Sequence, residues 1–167
     1  MSKIVIQKYH PQFEAQVREI FFESSTKKDF KDQAEKEAFY QKYVGFYLKH
    51  FPEFCWIAVG QNVLGYVLGM PETHHSELEQ IQPHLKKFED LYDRYPAHLH
   101  INCHSSSRGL GVGGQLVLKM IQELGSQGLP GLHIMTGAQS RNRSFYQRLG
   151  FTDEVEREGI LFMGRPL

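Results

Sequence analysis

The stretch HLHINCHSSSRGLGVGGQL, from His98 to Leu116, constrains the fold more than any other part of the chain. AHLHINCH reads as a strand, and GGQLVLKMIQEL as a helix with Leu116, Val117, Met120, Ile121 and Leu124 on its inward face. Between them lies a loop rich in glycine that opens the helix. First-turn amides have no partner inside a helix. With the helix dipole they attract an anion, the dipole alone contributing about 0.3–1 kcal/mol. Glycines let the backbone approach a ligand without a Cβ in the way, and Arg108 adds a charge-assisted donor. A phosphate or pyrophosphate suits such a loop; a turn without a ligand is the alternative.

Other guests fit less well. Gly109, Gly111 and Gly114 satisfy G-x-G-x-x-G, but that fingerprint normally opens a larger dinucleotide-binding sheet. Here only residues 115–167 follow, and the next strand, LHIMTGA, ends without the acidic residue that would hold a ribose. No Lys followed by Ser or Thr closes the loop as in a P-loop ATPase. By alternation His98, His100, Asn102 and His104 share one strand face, with His74 and His75 nearby in sequence. However, His98 and His104 are ~20 Å apart at ~3.3 Å per residue, too far for one ion. No metal is expected.

Elsewhere the pattern is that of one α/β domain over residues 1–167. KIVIQKY reads as a strand, Pro11 to Glu23 as a helix, and Lys31 to His50 as a second helix. Phe39, Tyr43, Phe46, Tyr47 and His50 form an aromatic stripe on that second helix, facing the core or walling a substrate cleft. FCWIAV and NVLGYVLGM form an antiparallel hairpin about Gly60-Gln61-Asn62. A helical insert follows at about 71–96, with Leu78, Ile81, Leu85, Phe88, Tyr92 and Tyr95 at helical spacing and Pro83 breaking it. After LHIMTGA, Ser140 is placed to cap a short helix through Leu149, ended by Gly150. FTDEVERE and ILFMGR turn at Glu158-Gly159. Lys plus Arg equals Asp plus Glu, at 19 each, which gives no field for nucleic acid. The longest apolar runs are too short to cross a bilayer, and MSKIVIQKYH offers no apolar signal segment. Two cysteines, Cys55 and Cys103, suit a reducing compartment, so a cytoplasmic location is expected.

Two segments together resemble one family. Arg108 to Gly114, RGLGVGG, is similar to the R/Q-x-x-G-x-G/A motif with which the GNAT acetyltransferases cradle the pyrophosphate of acetyl-CoA. SFYQRLGF, from Ser144 to Phe151, resembles that superfamily's later motif. The element order fits as well, and only the insert is poorly anchored by the likeness. The resemblance implies the GNAT acyl-CoA N-acyltransferase fold, a mixed, mostly antiparallel sheet flanked by helices. More narrowly, PAHLHI, LPGLHI and the ending GRPL look like bacterial GNATs related to the acetyltransferase-like domain of O-GlcNAcases.

The resemblance also implies roles. Arg108, Gly109, Leu110, Gly111, Val112, Gly113 and Gly114 would hold the pyrophosphate. Ile101, Asn102 and Cys103 would line the pantetheine arm, with Asn142, Phe145 and Tyr146 against it, and Gln139 stands where the family often has Asn. Tyr146 would protonate the departing thiolate. Neither AHLHINCH nor LHIMTGA carries a carboxylate, which leaves His100, His104 or His133 to take the amine's proton. Cys103 reads as a buried thiol rather than an acyl carrier. The implied activity is N-acetyl transfer from acetyl-CoA to a primary amine on a small molecule or peptide, in a chain that superfamily precedent allows to dimerise. A non-catalytic acetyl-CoA-binding domain is the alternative.

Overall fold

A computed structural model describes residues 3–167. The elements are β1 (Val5–Lys8), α1 (Glu14–Ser24), α2 (Gln33–Tyr40), a π-helical turn (Gln41–Gly45), α3 (Phe46–His50), β2 (Cys55–Val59), β3 (Val63–Met70), α4 (Ser76–Ile81), a 3-10 helix (Pro83–Leu91), β4 (Ala97–Cys103), α5 (Val112–Gly125), β5 (Gly131–Gly137), α6 (Arg143–Arg148), β6 (Asp153–Arg157) and β7 (Ile160–Pro166). Among the described residues seven strands form one mixed, mostly antiparallel sheet in the order β1-β2-β3-β4-β5-β7-β6, and helices flank it. No described helix is long and apolar enough to cross a membrane.

Two compact units divide the chain, Met1–Gly69 with His100–Met120 and Met70–Leu99 with Ile121–Leu167. In the first, β1 pairs antiparallel with β2, and β2 with β3. The expected turn joins the last two, its Gly60 amide donating to the Asn62 carbonyl at 2.9 Å. Helix α1 buries Val17, Ile20 and Phe21, one face of its 3.6-residue period. The aromatic segment departs from the single helix expected over 31–50. Asp32 caps α2 by accepting the Glu35 amide at 2.8 Å. The π turn at Gln41–Gly45 then adds a residue to the helical repeat. The buried side is therefore Tyr40, Val44, Phe46 and Tyr47, while Phe39, Tyr43 and His50 are half-buried.

In the second unit Pro83 breaks the insert as expected. The residue before it, Gln82, leaves helical geometry (φ −129, ψ 67), and the continuation is a 3-10 helix. Phe88, Tyr92, Tyr95 and Phe162 form one buried cluster. Strand β5 pairs parallel with β4 at Ala97↔Leu132 and His98↔His133, and antiparallel with β7 from Gly131↔Pro166 to Gly137↔Ile160. The closing hairpin turns on Glu158 (φ 49) and Gly159 (φ 78), two left-handed residues as a tight primed turn needs. Ion pairs Lys87–Glu158 and Arg157–Asp90 tie the insert to that hairpin.

Tyr95 comes so close to β5 that a Cβ at Gly131 would lie 2.4 Å from the Arg94 carbonyl oxygen and 2.5 Å from the Tyr95 ring. Backbone on both sides leaves little room to yield. Gly131→Ala is expected to cost about 1–3 kcal/mol of stability, seen as a lower midpoint in denaturant unfolding.

Candidate functional site

Strand β4 changes character along its length. Ala97, His98 and Leu99 are buried, whereas His100, Ile101, Asn102 and Cys103 are half-exposed. Within the first unit the Nε2 of His100 is 2.8 Å from the Tyr47 hydroxyl, and the Asn102 amide donates to the Tyr66 hydroxyl at 2.8 Å. Burial pushes Tyr66 above its ordinary range, with the Asn102 bond opposing. Burial also pushes the Cys103 thiol up to about 11, opposed by its hydrogen bond with Ser107. That thiol stays protonated near neutrality, which is unsuited to a nucleophile.

Beyond β4 the His104 amide donates to the Leu64 carbonyl at 2.9 Å, and Ser105–Ser107 make one 3-10 turn. Gly109 (φ 77) and Gly111 (φ 70) follow in left-handed geometry. Only glycine adopts this at no steric cost. Alternating such residues with ordinary ones turns successive amides toward one concavity. The first intrahelical bond of α5 runs from the Gln115 amide to the Gly111 carbonyl at 3.1 Å. Val112, Gly113 and Gly114 precede it and supply the helix's orphan donors. A Cβ at Gly109 or Gly114 would meet nothing within 4 Å, so the backbone is open to approach there. Arg108 and Leu110 are exposed at the rim. These residues fit a pyrophosphate.

A carboxylate that sequence order concealed completes this end of the unit. Glu23, at the end of α1, lies with its Oε2 3.5 Å from the Nε2 of His104. The Ser105 hydroxyl first, then His104, the Ser105 amide and Arg108, hold the Glu23 carboxyl below its ordinary value. One sequence signal pointed there: Glu23 follows the buried Ile20 by three residues, so both share a face of α1. A cavity of ≈ 600 Å³ opens beside His104 and Ser106, walled on one side by Gln16, Glu19 and Ile20.

In the second unit Tyr146 is 8% exposed, its ring edge-on to Phe145 (5.0 Å) and Phe151 (5.9 Å). Gly150 (φ 87) ends the motif helix as expected. The start differs from expectation. Ser140 does not cap α6; its hydroxyl accepts the Asn142 amide at 3.2 Å, closing a turn first, so the helix begins at Arg143. Asn142 is exposed at the helix start, and Gln139 is also exposed. His133 lies in the core rather than at the surface. Its Nδ1 is 2.8 Å from the Tyr95 carbonyl oxygen, so it donates, and its ring stacks on Phe162 at 4.5 Å and Tyr92 at 5.2 Å. His98 is buried with its Nδ1 2.8 Å from the Thr73 hydroxyl. Among the described residues no group of three or more His, Cys, Asp or Glu could hold a metal ion.

Comparison with known proteins follows the geometry. A protein described as SsHAT is similar in fold, with a TM-score of 0.80 at 21% identity over 98% of both chains. A chain of the NatC complex, described as bound to Gag peptide and CoA, gives 0.66 at 14% identity over 99% of both. The ribosomal-protein-alanine N-acetyltransferase of Brucella melitensis gives 0.68 at 17% identity, over 98% of this chain and 99% of the other. No curated protein sequence matches. The acetyltransferase (GNAT) family pattern matches residues 14–151, through both units, and the chain belongs to that family.

Proposed function

We propose that this chain is an acetyl-CoA-dependent N-acetyltransferase for a primary amine, acting as one GNAT domain over residues 1–167. The observation that carries the reading is the left-handed pair Gly109 and Gly111 feeding the open first turn of α5. Val112, Gly113 and Gly114 offer their amides to the pyrophosphate, and Arg108 and Leu110 border it. The backbone of Ile101, Asn102 and Cys103 runs along the pantetheine arm, and one of its amides polarises the acetyl carbonyl. Asn142 and Phe145 border the arm from the motif helix. Acetyl-CoA, when bound, supplies a thioester carbon that an amine attacks directly. Tyr146 donates its phenolic proton to the leaving sulfur. His100 or His104 takes the proton of the amine, so no acyl-enzyme is needed. Both cysteines are free thiols, which supports the cytoplasmic setting. The narrower likeness to bacterial relatives of O-GlcNAcase domains belongs to the same proposal.

A thiol-release assay over a panel of primary amines tests it, run after acetyl-CoA is shown to raise the melting temperature. Release with at least one amine is the expected result. A thermal shift without release on any amine would favour the non-catalytic alternative, and the absence of a shift at saturating acetyl-CoA would sink both.

A further inference from the structure

Arg165, in the ending GRPL, is tied to the helix that carries Tyr146. It lies on β7 opposite Leu132 of β5. Its half-buried side chain reaches the end of α6, where Nη1 donates to the Leu149 carbonyl at 3.0 Å. The Leu149 amide in turn donates to the Tyr146 carbonyl at 3.0 Å, and the Phe151 amide donates to that same carbonyl at 3.1 Å. Guanidinium, Leu149 and the backbone of Tyr146 are thus linked in series.

Two further observations single out this contact. A Cβ at Gly150 would lie 2.1 Å from Nη1 of Arg165, so a larger residue there would push the guanidinium off Leu149. The Nε of Arg165 is buried without a hydrogen-bond partner among the described residues. An unpaired buried donor costs stability, which an apolar side chain at this position would avoid. Helix α6 also needs such a hold. It has six residues, too few to persist alone, and no side chain caps its start. Glu154 accepts from Arg143 at 3.1 Å and from Gln147 at 2.8 Å, but both donors are exposed, and such contacts hold weakly in water. Arg165 instead sets a fixed cation at the C-terminal end, where the last carbonyls carry partial negative charge and lack intrahelical partners.

We propose that Arg165 is a positioning residue for Tyr146: by holding the Leu149 carbonyl it fixes the last turn of α6, and with it the direction of the Tyr146 hydroxyl. The inference rests on the N-acetyltransferase reading, with Tyr146 as proton donor to the leaving sulfur. No bond forms or breaks at Arg165, which stays protonated throughout. A general acid must come within about 2.6–3.2 Å of the atom it protonates. A misplacement of ~1 Å can cost about a hundredfold in rate. Loosening the end of α6 therefore lowers kcat and leaves acetyl-CoA affinity, set by the glycine loop, unchanged.

A double-mutant cycle tests it, with acetyl-CoA and an amine that the native protein acetylates. Arg165→Met keeps a long side chain and removes the donor. It should lower kcat roughly fivefold or more, with KM for both substrates within about twofold of native. An unchanged acetyl-CoA thermal shift identifies folded variants. In the Tyr146→Phe background the same substitution should change kcat by less than about twofold, because the proton it helps to deliver is already gone. Gly150→Ala reaches the contact from the other side, its Cβ displacing Nη1, and should give the same loss and the same silence in Tyr146→Phe. Native kcat in Arg165→Met would overturn the assignment. So would a loss that persists undiminished in Tyr146→Phe, since Arg165 would then support the fold at large; either result leaves the N-acetyltransferase reading standing. Native kcat in Tyr146→Phe would overturn the inference together with the role of Tyr146. Acetyl-CoA binding with no amine acetylated by the native protein would overturn the N-acetyltransferase reading itself, and the inference with it.

Discussion

Gly111→Val is expected to abolish the thermal stabilisation that acetyl-CoA gives the native chain. The residue sits at φ 70, where a side chain costs about 1–2 kcal/mol, and a β-branched one is less tolerated still. The loop can relieve that strain only by rotating the peptide groups on either side. Rotation turns amides out of the concavity, so the variant loses its anion site even where the rest of the chain remains folded. At 100 times its dissociation constant, acetyl-CoA should stabilise the native protein by about 2.7 kcal/mol. Calorimetric melting of both proteins at one acetyl-CoA concentration measures the difference. A variant that keeps the full shift would remove the loop from the cofactor site.

Tyr146→Phe should lower kcat at least tenfold, about 1.4 kcal/mol in the barrier, with acetyl-CoA affinity nearly unchanged. Phenylalanine keeps the ring that packs edge-on against Phe145 and Phe151, so the fold is preserved. The hydroxyl is lost with its proton, and the thiolate must then leave unprotonated. Steady-state turnover alongside equilibrium titration separates the two effects. Unchanged turnover would leave Tyr146 as a packing residue.

Much of this architecture was legible locally. The His98–Leu116 segment announced its strand, loop and helix because alternation, glycine and amphipathic spacing are each short-range signals. Pro83 announced its break for the same reason, and Glu158-Gly159 its turn. What escaped depends on distant partners or on small changes of helical repeat. The π turn at Gln41–Gly45 moves the buried aromatic face by one residue, which no residue type within it marks. Gly131, just outside the strand read as LHIMTGA, gave no local signal, because its constraint comes from Arg94 and Tyr95. His133 looked available, because Tyr92 and Phe162 supply the stack that buries it. Glu23 was hidden most completely: strand β4 carries no acid, and only the packing of α1 brings one to His104.

The ties between the insert and the last hairpin also bear on how the chain is made. Asp90 waits for Arg157, 67 residues later, before its ion pair can form. At roughly 5–20 residues per second, ribosomal synthesis puts about 3–13 s between them. Phe162, the fourth ring of the cluster that buries Phe88 and Tyr95, emerges later still. During that interval the nascent protein carries an aromatic surface without its cover. The insert of the newborn chain is therefore open to chaperones and proteases until the final hairpin emerges, and a chain truncated before that hairpin would keep it so.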